Sequence, residues 1–442
     1  MLSFVLASVL FVTNQAAQPD VAARATQVVA FLSGQNFAPV EAMFTDQMTA
    51  AMPAGRLGAT WTMLIGQVGS LKSCGSDARI RSIADKQMVI TPCEFERAKI
   101  DVQLAFERDG RISGLALRPG AAPAAAEYTT PSYATPSAYA ETDQTVGSGE
   151  WVLPGTLTVP AGAGPWPAVI LVAGSGPNDR DETIGPNKPF RDLAVGLASR
   201  GIASLRYDKR TKVYPSKMAA LPGLTVQQEV LDDVLEAAKT LRANPKVDSA
   251  RIFVLGHSLG GMLIPRIGAA DPRLAGLIVL AGAARPLPEA VLEQTRYLAM
   301  ADGTISPDEQ AGIDEAAKLV ATVEALKPED ARSALVVFHA PASYWLDLRG
   351  YDPPSAAKVL KGPMLVLQGE RDYQVTMPEF EKWKASLAGR STVTFRSYPA
   401  LNHLFIAGAG KSLPAEYGIP GHVAEEVVRD VAAWIKKPGP GL

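Results

Sequence analysis

Arg251-Ile252-Phe253-Val254-Leu255-Gly256-His257-Ser258-Leu259-Gly260, continued by Gly261-Met262-Leu263-Ile264-Pro265-Arg266-Ile267-Gly268-Ala269-Ala270, decides the fold of this 442-residue chain. Residues 251–255 read as a short buried strand, and Leu259 to Ala270 reads as a helix. Between them Gly256-His257-Ser258-Leu259-Gly260 matches G-x-S-x-G, a strand–sharp turn–helix unit that lifts a serine out of a sheet. A serine on so tight a turn tolerates almost no side chain two residues to either side, hence Gly256 and Gly260. The helix start beneath it favours negative charge developing at the site.

The same alternation of strand and helix continues outward. Strands are expected at 166–172, 202–207, 274–280, 364–368 and 392–398. Helices are expected at 189–200, 226–243, 378–388 and 422–435. Trp166-Pro167-Ala168-Val169-Ile170-Leu171-Val172 is continuously apolar, as a strand covered on both faces would be. The pattern predicts a doubly wound, largely parallel α/β sheet. Between Arg285 and Leu360 the alternation stops and a helical stretch punctuated by Pro307, Pro328, Pro341, Pro353 and Pro354 takes over. It reads as a cap inserted at about residues 285–360 of a domain spanning 146–438.

Ahead of that domain, residues 121–145 are rich in Ala, Pro, Thr and Ser and contain no Lys or Arg, which reads as a linker. Residues 18–120 are expected to form a small α+β domain: a helical stretch from Val21 to Met52, then strands from Arg79 to Leu117 with a turn at Asp109-Gly110. Leu2 to Val12 is almost wholly apolar and is followed by Gln15-Ala16-Ala17-Gln18. Too short to span a bilayer, it fits a secretory signal over residues 1–17, although no basic residue precedes it. Export would place Cys74 and Cys93 in an oxidising compartment, where either a disulfide or two buried thiols is open to them.

Composition excludes several classes of function. Lys plus Arg number 43 against 45 for Asp plus Glu, so nothing favours a nucleic-acid partner. Two cysteines and four histidines are too few soft ligands for a zinc ribbon or an iron–sulfur centre, and no metal or cofactor is expected. No segment beyond the start is apolar enough for a membrane span.

A serine hydroxyl needs a positioned base. His257 adjoins Ser258 and should leave the turn in another direction; His339 lies in the insertion; His422 opens the last helix. His403, in Leu401-Asn402-His403-Leu404, follows the last strand, where a doubly wound sheet presents its chemistry. The base needs a carboxylate to orient it. Asp372 in Gly369-Glu370-Arg371-Asp372 follows the strand 364–368, with Glu370 as the competitor. The chain order Ser258, Asp372, His403 is that of α/β-hydrolases. An oxyanion hole would use the backbone N–H of Leu259 and one from Ala173-Gly174-Ser175-Gly176-Pro177, Ser175 first and Gly174 second.

Asn178-Asp179-Arg180-Asp181-Glu182 beside that loop either contacts substrate or forms a salt-bridge network with Arg206, Asp208 and Arg210; the density of charge favours the network. Tyr344 and Trp345 either line an acyl pocket or pack the insertion.

Three groups of residues carry a family resemblance: Gly174 to Glu182 with Asn187-Lys188-Pro189-Phe190; Leu205-Arg206-Tyr207-Asp208-Lys209-Arg210-Thr211; and Ala342-Ser343-Tyr344-Trp345-Leu346-Asp347-Leu348. Together with Gly256 to Gly261, Gly369 to Val375 and Leu401-Asn402-His403, they resemble bacterial serine esterases of the α/β-hydrolase superfamily. The group is the EstD-like one, related to prolyl-oligopeptidase-like hydrolases. The N-terminal segment resembles the DUF3887-type domain. Ala173 departs from the pattern, since relatives usually carry histidine there. The resemblance implies a carboxylesterase that hydrolyses short-chain acyl esters, small-molecule substrates, through an acyl-enzyme. The alternatives are a serine aminopeptidase or acylpeptide hydrolase, and a non-catalytic binding protein on the same scaffold.

Overall fold

The computed structural model describes residues 20–75, 78–83, 86–120 and 128–438. The expected signal, residues 1–17, lies outside them, as does the start of the expected linker. The chain divides into two compact units.

In the first unit the helical stretch expected from Val21 to Met52 is three helices, Val21–Ser33, Ala38–Glu41 and Asp46–Ala51. Gly34 ends the first, Pro39 sits in the first turn of the second, and the Thr45 side chain caps the third. Five antiparallel strands follow: β1 (Leu71–Cys74), β2 (Arg79–Ile83), β3 (Lys86–Phe95), β4 (Lys99–Phe106) and β5 (Ile112–Pro119). They run in the order β1-β3-β4-β5, with β2 also on β3. Cys74 and Cys93 face each other across β1 and β3 and are joined by a disulfide, which decides between bridge and thiols. The helix Arg56–Val68 went unread in the sequence, because Gly58 and Gly66 weaken its propensity although Leu57, Trp61, Ile65 and Val68 are buried at helical spacing.

The second unit is built on an eight-stranded sheet. Its strands are β6 (Tyr139–Val146), β7 (Leu153–Pro160), β8 (Trp166–Val172), β9 (Ala203–Tyr207), β10 (Val247–His257) and β11 (Gly276–Leu280). After the insertion, which carries the two-residue strands β12 (Val336–Val337) and β13 (Ala340–Pro341), come β14 (Met364–Gly369) and β15 (Val393–Tyr398). The order is β15-β14-β11-β10-β8-β9-β7-β6, parallel from β15 through β9, with β7 and β6 antiparallel at one edge. β11 and β14 are buried at every position and β8 at all but Trp166, as strands sandwiched between helices must be.

β6 begins inside the stretch expected to be linker. Its sequence is polar and mostly exposed, as an edge strand allows, and pairing with β7 holds it in place. Pro154 and Pro160 likewise disguise β7. Tyr128 and Tyr133, also from that stretch, donate their hydroxyls to Asp192 and to the Val423 carbonyl.

The insertion is helical, as expected: Leu287–Ala299, Pro307–Ala325, Ala342–Leu348 and Pro353–Ala357. Among the described residues no helix is long and apolar enough to cross a membrane.

Candidate active site

β10 runs to His257 and delivers Ser258 directly into a strained turn at φ 53°, ψ −115°. The flanking glycines are required by contact. A Cβ on Gly256 would stand 2.2 Å from the Gly260 carbonyl oxygen, and one on Gly260 would stand 2.3 Å from that of Val172. The Ser258 N–H is held by the Leu280 carbonyl at 3.0 Å. The expected helix 259–270 breaks at Leu263 into Leu259–Met262 and Ile264–Ala270, since Pro265 lacks the N–H a continuous helix would need. Leu259 opens the first piece, so its N–H has no acceptor within the helix.

His403 and Asp372 meet. Nδ1 of His403 is 2.6 Å from Oδ2 of Asp372, and both side chains are buried. Oδ1 of Asp372 accepts the N–H groups of Gln374 and Val375 at 2.8 and 3.0 Å, and Oδ2 accepts Nε2 of Gln368 at 3.2 Å. Three donors therefore aim the carboxylate at the imidazole. Glu370 is exposed and accepts the Ser397 hydroxyl instead.

The supports of this pair escaped the sequence reading. Asn402 Oδ1 accepts the N–H groups of Leu404 and Ile406 and so shapes the His403 turn. Arg371 donates to the carbonyls of Ala409 and Gly410 and pairs with Glu416, which also takes Nδ2 of Asn402. Tyr373 stacks between Tyr297 and Tyr417.

The other histidines take other places. His339 lies with Phe338 in the β12–β13 turn, both at positive φ. His422 faces Asp192 at 3.1 Å and the Thr129 hydroxyl at 3.3 Å. His257 is buried, with Nδ1 3.0 Å from Glu182 and Nε2 2.9 Å from the His403 carbonyl oxygen.

The loop after β8 lies against Ser258: a Cβ on Gly174 would stand 3.0 Å from that of Ser258. Here one expectation is corrected. The Gly174 N–H is engaged by Oε1 of Glu182 at 2.6 Å and does not face a substrate. Its carbonyl accepts Lys209 Nζ at 2.9 Å and Asn178 Nδ2 at 3.1 Å. Gly174 is thus clamped on both sides, while the next residue, Ser175, is exposed.

The charged run is an internal network. Asp181 binds Arg206 at 2.9 Å and Lys188 at 3.0 Å; Arg206 also reaches Glu141 at 2.6 Å and the Thr158 hydroxyl at 2.9 Å. Burial works against a charge on Asp181, but Arg206 and Lys188 hold its carboxyl below the usual range. Arg180 pairs with Asp208 at 3.1 Å. Arg210 does not join them; it pairs with Asp233. Buried Lys209 binds Glu229 at 2.7 Å; burial and the nearby Glu229 carboxylate push the Tyr344 hydroxyl well above its ordinary pKa.

Trp345 donates its indole N–H to the Val337 carbonyl at 2.8 Å and packs edge-on against Phe338 and Tyr344. Both aromatics pack the insertion through these contacts.

A serine on such a turn at the end of a central parallel strand, followed by an aspartate–histidine pair on later strand ends, makes this chain an α/β-hydrolase. More particularly, residues 188–409, half of the chain, match the family described as "Serine aminopeptidase, S33", and the chain belongs to that family of serine-type hydrolases. Residues 25–115 match the family "Protein of unknown function (DUF3887)". The chain is 39% identical over 412 residues to esterase EstD of Thermotoga maritima, a match spanning 92% of this chain and 94% of that protein. Among solved structures it is similar to Est1E of Butyrivibrio proteoclasticus with bound ferulic acid, at 15% identity and TM-score 0.44, covering 67% of this chain and 98% of the other. It is similar also to the acylaminoacyl peptidase of Pyrococcus horikoshii, at 13% identity and TM-score 0.44, covering 82% and 50%.

Proposed function

We propose that the chain is a serine carboxylesterase acting on short-chain acyl esters through an acyl-enzyme on Ser258. The observation that carries this is the short Asp372–His403 hydrogen bond, with the His403 carbonyl bound by His257, the residue before the strained Ser258. Asp372 holds His403 with the proton on Nδ1, leaving Nε2 to take the Ser258 proton. Ser258 Oγ attacks the ester carbonyl, and the N–H groups of Leu259 and Ser175 receive the developing oxyanion. His403 then protonates the leaving alcohol, and water activated by the same imidazole releases the acid.

The family description raises aminopeptidase activity as a second reading. Recognition of a peptide amino terminus needs an unengaged carboxylate, whereas Asp181, Glu182 and Glu229 around the loop are each paired with a cation or imidazole, and Asp179 accepts the N–H groups of Asp181 and Thr183. This favours the esterase. Ser258→Ala should abolish p-nitrophenyl acetate turnover and fluorophosphonate labelling while the circular dichroism spectrum stays unchanged. Retained turnover would overturn the mechanism; faster anilide than ester cleavage by wild type would favour the peptidase. A series from acetate to laurate reads the acyl preference.

We also infer export, from the apolar stretch Leu2 to Val12 together with the Cys74–Cys93 bridge, which an oxidising compartment sustains. Fractionation with sequencing of the mature amino terminus tests it; full-length protein in the reducing cytoplasm would overturn it.

A further inference from the structure

His257 lies outside the Ser258–Asp372–His403 set, yet both its ring nitrogens are committed. Nε2 faces the main-chain carbonyl of His403 at 2.9 Å, and a carbonyl only accepts, so Nε2 carries a proton. Nδ1 faces Oε2 of Glu182 at 3.0 Å, while the other oxygen of that carboxylate accepts the Gly174 N–H at 2.6 Å. A neutral imidazole has one N–H for these two acceptors. Both bonds form only when one more proton lies between His257 and Glu182. The pair then has no net charge, as burial of both side chains demands.

We propose that His257 and Glu182 form a second histidine–carboxylate dyad that holds a proton in the working enzyme. Through it the oxyanion loop and the catalytic base are positioned as one unit. The inference rests on the triad reading above. Its links are Gly174 to Glu182 to His257 to the backbone of His403, four residues from two loops and the end of β10. The His257 and His403 rings lie 4.6 Å apart, and Phe190 covers His257 edge-on. The ionisable groups facing His257 are Glu182, His403 and Asp372. Burial opposes charge on His257, but Glu182, the His403 carbonyl and Asp372 outweigh it and raise its pKa above the usual histidine value. The sign follows. The dyad is intact below that raised pKa and loses its proton as pH rises through it. One of the two links then opens, and kcat falls on the alkaline side with KM little changed.

The test uses the full chain and p-nitrophenyl acetate. Glu182→Ala and His257→Phe should each lower kcat about a hundredfold, the scale of a small misplacement of reacting groups. Glu182→Gln is the decisive variant. Its carbonyl oxygen can accept the Gly174 N–H, and its amide can donate to a neutral His257 Nδ1, so every link survives without the extra proton. It should recover most of the activity that Glu182→Ala loses and flatten the alkaline limb. Loss in Glu182→Gln equal to that in Glu182→Ala, or full kcat in His257→Phe, would overturn the proposal.

Histidine side-chain 15N NMR of wild type, titrated with pH, gives a readout independent of activity and of variant folding. One ring is expected to keep both nitrogens protonated to higher pH than an ordinary histidine, and to revert to one protonated nitrogen in Glu182→Gln. A ring that loses its second proton no later than an ordinary histidine would overturn the proton-holding role. If wild type fails to label at Ser258 with fluorophosphonate, the triad reading has failed instead, and the NMR result still judges the dyad.

Discussion

Asp372 meets His403 through one carboxylate oxygen at 2.6 Å while its other oxygen receives the N–H groups of Gln374 and Val375. This arrangement selects the tautomer of His403 as well as its orientation. In Asp372→Asn the remaining oxygen can still accept those two N–H groups, which turns the amide nitrogen toward His403. Nδ1 must then accept, the proton moves to Nε2, and the imidazole ceases to be a base. We expect kcat to fall roughly ten-thousandfold with little change in melting temperature. Glu370→Gln, at the exposed competitor, should stay within about twofold. Equal losses in the two variants would refute the assignment.

Ser258 is held at φ 53°, in a region where a Cβ is strained. Ser258→Gly and Ser258→Ala should both be inactive, but glycine should be the more stable of the two by about 1–2 kcal/mol. Urea denaturation reads the difference. A more stable alanine variant would mean that the turn stores no strain.

Lys209 is buried against Glu229 and also donates to the Gly174 carbonyl. Lys209→Met leaves Glu229 buried with no cation and should cost about 3–5 kcal/mol. Converting Glu229 as well should restore much of that stability without restoring kcat, because the Gly174 carbonyl still lacks its lysine. If the double variant is as unstable as the single one, packing around Lys209 rather than charge is responsible.

Asp181 has its carboxyl held low against burial by Arg206 and Lys188. A carboxylate depressed in the folded state stabilises above its unfolded pKa of about 3.9, and that stability disappears as pH falls through the folded value. Asp181→Asn should therefore be less stable than wild type at pH 7, with the gap closing below about pH 4. Thermal melts at both pH values decide it; a gap independent of pH would point to lost hydrogen-bond geometry rather than charge.

The inner strands were legible because a strand covered on both faces has no place for polar residues. β8, β11 and β14 accordingly stand out as apolar runs. β6 and β7 were not legible: an edge strand exposes one side to water, tolerates Pro154 and Pro160, and carries no run to read. The helix Arg56–Val68 was hidden for a related reason, its glycines diluting a buried stripe.

Ser258, Asp372 and His403 were readable because each stands at a strand end, and strand ends can be counted along a chain. The oxyanion loop was readable only as a stretch. That the Gly174 N–H is engaged required knowing that Glu182 takes it, and the contacts of His257 required knowing that Glu182 and the His403 carbonyl lie on either side of its ring.

The sequence by itself thus determined the sheet, the serine turn and the strand-end positions of Asp372 and His403. All of these follow from local periodicity and from the steric demands of a few glycines. Tertiary structure alone decided which hydrogen-bonding groups are free and which are engaged. Glu182 lies 75 residues from His257, and His257 lies 146 from His403. A hydrogen bond acts over about 3 Å, so its partners are chosen by packing and not by spacing along the chain.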